Sequence, residues 1–100
     1  MAEPITVEEL DRLLRDKVPV TVVDVRLDAT GAIPGAEHVP VTDLEEREWP
    51  WDRERLLVVY CQHGRGASAY AAEVLEQQGF RAVRTLVGGL DAWRQAHGAG

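Results

Sequence analysis

The chain is poor in several things that would each point to a class of protein. It has one cysteine among 100 residues, Cys61, so no internal disulfide can form and a secreted, disulfide-stapled scaffold is excluded. Its longest apolar run, Leu56 to Cys61, is far shorter than a membrane span. Positive charge is in deficit: 11 Lys and Arg face 17 Asp and Glu, for a formal net charge of -6. A chain of that sign lacks the basic field on which broad nucleic-acid binding depends, although a local pocket can still receive an anion. The opening "MAEPITVEEL" has neither a basic stretch nor an apolar one, so it is not read as a signal peptide. Repeats, low-complexity segments and linkers are also missing. These absences predict a soluble, cytoplasmic protein with no membrane and no nucleic-acid partner, folded as a single domain over residues 1–100. The 45% hydrophobic content supplies a modest core.

What is present is an alternation of helical and extended patterns. "TVEELDRLLRDK" opens with Thr6 and Glu9 in capping-box spacing, and Val7, Leu10, Leu13 and Leu14 then line one helical face. Val18 to Val25 and Leu56 to Tyr60 are nearly continuous apolar runs, as expected of strands buried on both faces. Between them come turn chemistry around Pro34-Gly35, a short extended piece, and a second cap pattern from Thr42 to Glu45 that predicts a short helix. Trp49 to Arg55 reads as a loop. In "ASAYAAEVLEQQ", Ala67, Tyr70, Ala71, Val74 and Leu75 recur at helical spacing, with Gly79 as the stop. Ala82 to Gly89 is a further strand ending in a glycine turn, and Leu90 to His97 a closing helix. Such alternation predicts an α/β fold with right-handed crossovers and a parallel sheet covered on both faces.

In an open parallel sheet, ligands sit at the carboxyl ends of the strands. Cys61 follows "LLVVY" at that edge, and the loop from Gln62 to Gly66 leads into a helix. A helix N-terminus and a glycine-curled backbone both favour an anion. A cysteine there can have its pKa brought from about 8.5 to between ~3.5 and ~7.5. The competing reading is a buried core filler, for which a glycine-rich turn is unnecessary. Other motif readings fit less well. Gly64, Gly66 and Ala69 match a dinucleotide fingerprint, but no acidic residue ends the next strand. Cys61 and His63 lack the further ligands a metal site needs, so no metal is predicted. A cysteine phosphatase requires an arginine six residues after the cysteine, where this chain has Ala67.

Four ordered stretches resemble the rhodanese family of sulfurtransferases: "VVDVR" (Val22 to Arg26), "IPGAEHVP" (Ile33 to Pro40), "VVYCQHG" (Val58 to Gly64) and "LVGGLDAW" (Leu86 to Trp93). The resemblance spans nearly the whole chain. It implies a rhodanese-like three-layer α/β/α fold with a five-stranded, mostly parallel sheet. It also implies that Cys61 is catalytic, taking a sulfane sulfur from a small anionic donor such as thiosulfate as a persulfide and passing it to a thiol or cyanide. A protein sulfur acceptor is a further partner class, and no cofactor is implied. The loop residues Gln62, His63, Gly64, Arg65, Gly66, Ala67 and Ser68 would bind substrate. Many members read Cys-x-x-Gly-x-Arg-Ser, whereas here Gly66 and Ala67 hold the arginine and serine places. We infer a one-residue insertion near Arg65-Gly66, with Arg65 and Ser68 taking those roles from shifted positions. Between Arg26 and Ile33 the chain has only "LDATGA", shorter than the family norm, which alters the rim of the site. Two alternatives stand beside this reading: a non-enzymatic persulfide carrier or sulfur sensor, and an arsenate reductase or phosphatase-like relative with a seven-residue loop. Asp24 and Arg26 are expected to form a structural pair, His38 to be structural, and Trp93 to belong to the core.

Overall fold

A computed structural model describes residues 2–64 and 66–98. The elements run β1 (Glu3–Ile5), α1 (Val7–Arg15), β2 (Val20–Asp24), β3 (Glu37–His38), α2 (Val41–Leu44), β4 (Leu56–Tyr60), α3 (Gly66–Gln77), β5 (Ala82–Leu86) and α4 (Gly89–His97). The strands form one sheet in the order β1-β5-β4-β2-β3, and all four pairings are parallel. The fold is therefore the five-stranded α/β sheet that the resemblance implied, with β4 in the middle. Among the described residues no helix is long and apolar enough to cross a membrane.

The pleat divides the core into two clusters. Val23, Val25, Leu57, Val59 and Cys61 face one side, with Leu44 of α2 and Ala71, Ala72, Val74 and Leu75 of α3. Val22, Val58 and Tyr60 face the other, with Val7 and Leu10 of α1 and Leu90 of α4. Both faces of β4 are thus covered, which explains its unbroken apolar sequence; each fully buried Val or Leu contributes about 1.5–3 kcal/mol.

Local chemistry sets the element ends. Thr6 and Glu9 form a complete capping box at the start of α1. Three details differ from the sequence reading. The three-residue β1 was not foreseen, because it contains Pro4 and only Ile5 is buried; its place is fixed by pairing with β5. The short helix α2 starts after Pro40 rather than at a Thr42 cap. Val41 N–H donates to Val25 O (3.0 Å), tying the chain to the end of β2, and Thr42 is already helical. In α3 the buried stripe is Ser68, Ala71, Ala72, Val74 and Leu75, whereas Ala67 is exposed and Tyr70 is 47% exposed. Alanines at 67, 69, 71 and 72 leave the helical phase ambiguous in sequence. The sheet resolves it by drawing Ser68 inward.

Trp49 is buried against the core under α3, and Trp51 stacks on it at 5.4 Å between ring centres. Trp93 is half-buried against the α1/α4 cluster.

Candidate functional site

Cys61 is the first residue after β4, at the carboxyl end of the sheet's middle strand. Its side chain is 7% exposed and continues the apolar face begun by Leu57 and Val59. Its thiol lies 3.4 Å from the hydroxyl oxygen of Ser68. Ser68 is the third residue of α3 and fully buried, so it is not the helix N-cap; its hydroxyl sits beside the sulfur. A cleft of about 420 Å³ opens over Cys61 and is lined by Val25, Leu27, Val41 and Ala67, together with Arg26, Gln62, His63 and Gly66. The walls are therefore mainly apolar. Arg65, named from the sequence as an oxyanion-binding residue, lies outside the described residues.

The loop is held in place by the glycine pair at the start of α4. Leu90 N–H donates to Cys61 O (3.0 Å) and Asp91 N–H to Gln62 O (3.1 Å), so two otherwise unpaired helix-end donors are satisfied by the cysteine loop. This contact requires backbone to approach backbone. A Cβ on Gly64 (φ +73°) would fall 2.7 Å from Gly88 N, and one on Gly89 (φ +60°) would fall 2.4 Å from Cys61 O. Only glycine meets both the spacing and the left-handed conformation.

Behind the loop runs a polar network that begins on the opposite face of the sheet. Asp24, fully buried, accepts from Arg26 Nε at 3.0 and 3.1 Å, Arg26 Nη2 at 2.8 Å, Arg26 N–H at 2.9 Å and the Tyr60 hydroxyl at 2.8 Å. Burial opposes ionisation of Asp24, but the Arg26 side chain and backbone bonds outweigh it and hold the carboxyl below its usual range. Burial also pushes the Tyr60 phenol well up, keeping its proton in place. The Tyr60 oxygen in turn accepts from Ile33 N–H (3.0 Å), anchoring the "IPGA" turn. The expected Asp24–Arg26 pair is thus structural. His38 belongs to the same scaffold, donating from Nε2 to Arg26 O at 2.7 Å.

Arg26 carries the network into the loop. Its Nη1 donates to Gln62 Oε1 (3.0 Å), and Gln62 Nε2 donates to Asp91 Oδ1 (2.7 Å). His63 Nδ1 donates to the other oxygen, Asp91 Oδ2, at 2.5 Å. Bonds from Gln62 and then His63 hold the Asp91 carboxyl below its ordinary value. Gln62 and His63 therefore both reach the cleft, but the Gln62 amide is engaged on each side. Asp91 was missed from the sequence, which carries no local signal for it: its partners Gln62 and His63 lie 29 and 28 residues away. Among the described residues no group of three or more His, Cys, Asp or Glu side chains is placed to hold a metal ion.

Comparison with known proteins gives the family and supports the fold. Residues 6–96 match the rhodanese-like domain. A sulfurtransferase of Allochromatium vinosum is 36% identical over 101 residues, covering 98% of this chain and 92% of that protein. A thiosulfate sulfurtransferase of Coxiella burnetii is 35% identical over 65 residues, covering 65% of this chain and 60% of its own length. This chain thus spans less than two thirds of that relative. The solved human single-domain sulfurtransferase superposes with a TM-score of 0.84, with 27% identity and coverage of 95% of this chain and 97% of the human one. With the family match running over residues 6–96 and 36% identity across nearly the whole of both chains, the chain belongs to the rhodanese-like domains.

Proposed function

We propose that this domain is a sulfurtransferase that carries a sulfane sulfur as a persulfide on Cys61. The observation that carries the reading is the position of the chain's one cysteine, at the end of the middle strand and at the floor of a cleft. Sulfurtransferase relatives support the reaction class.

In the first half-reaction the Cys61 thiolate attacks the outer sulfur of thiosulfate. The Cys61 Sγ–S bond forms, the S–S bond of thiosulfate breaks, and sulfite leaves with the bonding pair. In the second, cyanide or a thiolate attacks the outer sulfur of the persulfide, and Cys61 departs as the thiolate. The scheme is a covalent, ping-pong transfer. Ser68 lies beside the sulfur to accept or donate a hydrogen bond, and Arg65, the loop's one cation by sequence, is the proposed recognition element for the anionic donor. A protein thiol is an acceptor of the same chemistry.

The test is turnover of thiosulfate with cyanide to thiocyanate. Cys61→Ala is expected to abolish it, and retention of wild-type turnover by that variant would overturn the proposal.

A further inference from the structure

The transfer above treats its two acceptors unequally. A thiol at neutral pH is only a few per cent ionised, so its proton must leave before its sulfur can attack. The donor thiosulfate has no such proton to lose. A site that serves thiol acceptors therefore needs a base that the first half-reaction does not use.

The cleft contains one group arranged for this task. His63 lines it together with Cys61, and its side chain is 66% exposed, within reach of a molecule arriving from solvent. Its Nδ1 is held by Asp91 Oδ2. A carboxylate on Nδ1 fixes the hydrogen there and leaves the lone pair of the neutral ring on Nε2. Among the described residues no hydrogen bond engages His63 Nε2. Asp91 is itself restrained. Its other oxygen accepts from Gln62, Gln62 accepts from Arg26, and Arg26 is clamped by the buried Asp24. The ring orientation is thus set by four successive side chains anchored in the core, more support than a solvated loop histidine requires. Asp91 also occupies the first turn of α4, where a carboxylate is favoured and where the backbone already docks on the cysteine loop.

We propose that His63 is the general base for thiol acceptors and that Asp91 is its positioning residue; the inference rests on the persulfide reading. The acceptor R–SH gives its proton to His63 Nε2. The resulting R–S⁻ attacks the outer sulfur of the Cys61 persulfide, an R–S–S bond forms, and the Cys61 Sγ–S bond breaks with its electron pair on Cys61. His63 then returns the proton to solvent. The acceptor class is a low-molecular-weight or protein thiol that arrives protonated.

The test separates the two half-reactions in single turnover. Persulfide loading by thiosulfate and discharge by glutathione are each followed by intact mass for wild type, His63→Gln, Asp91→Asn and the double variant. At pH 7, His63→Gln is expected to slow discharge by about tenfold or more, and to slow it far more than loading. At pH 9.5, where a thiol of pKa about 8.5 is ~90% ionised unaided, the discharge rates should converge to within about twofold. Asp91→Asn should show the same pH-dependent defect, because an amide N–H facing Nδ1 moves the ring hydrogen to Nε2. The double variant should be no slower than the slower single one. Discharge by His63→Gln at the wild-type rate at pH 7 would overturn the inference. So would a loss shared equally by loading and discharge and unchanged at pH 9.5, which is what a merely structural role produces. A wild-type protein that never gains sulfur would instead overturn the persulfide reading on which the inference stands.

Discussion

Tyr60 and Cys61 are adjacent in the chain and face opposite sides of the same sheet, and their surroundings differ in kind. The Tyr60 side is built from polar groups that satisfy one another: the phenol, Asp24, Arg26 and the Ile33 amide. The Cys61 side is built from Val25, Val59, Ala71 and Ala72, with the Ser68 hydroxyl beside the sulfur and the cleft above. One face fixes the loop and the other leaves room beside the proposed nucleophile. The residues that position the Cys61 loop are mostly not those that touch the cysteine. Asp24 is a full sheet layer away, yet it is joined to the rim through Arg26 and Gln62.

The polar face can be broken most severely at its ion pair. Arg26→Met leaves Asp24 buried without its counter-charge, and losing one partner of a buried pair typically costs about 3–5 kcal/mol. The urea midpoint is expected to fall accordingly, and sulfur-transfer activity should fall with it as Gln62 loses its donor. A midpoint within error of wild type would show that Asp24 is not held as the geometry indicates.

A smaller effect is expected where the two faces are stitched together. Gly89→Ala puts a methyl group against Cys61 O at a positive φ, so strain and overpacking together should cost roughly 1–3 kcal/mol. Because the clash is at the loop itself, persulfide loading should suffer more than global stability does. Gly35→Ala is the control: its added Cβ meets nothing within 4 Å although φ is +83°. It shares the strain without the clash, so equal loss of loading in both variants would refute the docking role of Gly89.

The smallest effect lies far from the site, where α4 closes on α1. His97 donates from Nδ1 to Trp93 O (2.9 Å) and from Nε2 to Asp11 Oδ1 (3.1 Å), so only the protonated ring satisfies both acceptors. The Trp93 carbonyl and then the Asp11 carboxylate raise its pKa above 6.5, while Arg15 opposes them. A raised folded-state pKa stabilises fully below the unfolded value. This contribution is therefore present at pH 6 and lost as pH rises through the folded-state pKa above 6.5. Urea midpoints at pH 6 and pH 8.5 should differ slightly more in wild type than in His97→Gln; an identical difference in both would remove the clasp from the account.

The two faces were not equally legible in sequence. The apolar one was readable because the continuous run "LLVVY", which supplies Leu57 and Val59 to it, obeys a local rule. Cys61 at the end of a strand before a glycine turn likewise pointed to the candidate site. The polar one depends on long-range pairing. Arg26 meets Gln62, and Gln62 meets Asp91, across 36 and 29 residues. Nothing in "GLDAW" announces that its aspartate holds a histidine from another loop. In α3 the expected Ala71, Val74 and Leu75 are buried, but Ala67 and Tyr70 are exposed while Ser68 and Ala72 face inward, because alanines weigh equally on every helical face and only the packed sheet distinguishes Ser68 from Ala67.

The central claim is that Cys61 carries sulfur, and intact-mass measurement before and after thiosulfate tests it most directly. The account predicts a gain of one sulfur, about 32 Da, on wild type, reversed by an added thiol and absent from Cys61→Ser. An unchanged wild-type mass, or a gain that persists in Cys61→Ser, would contradict it.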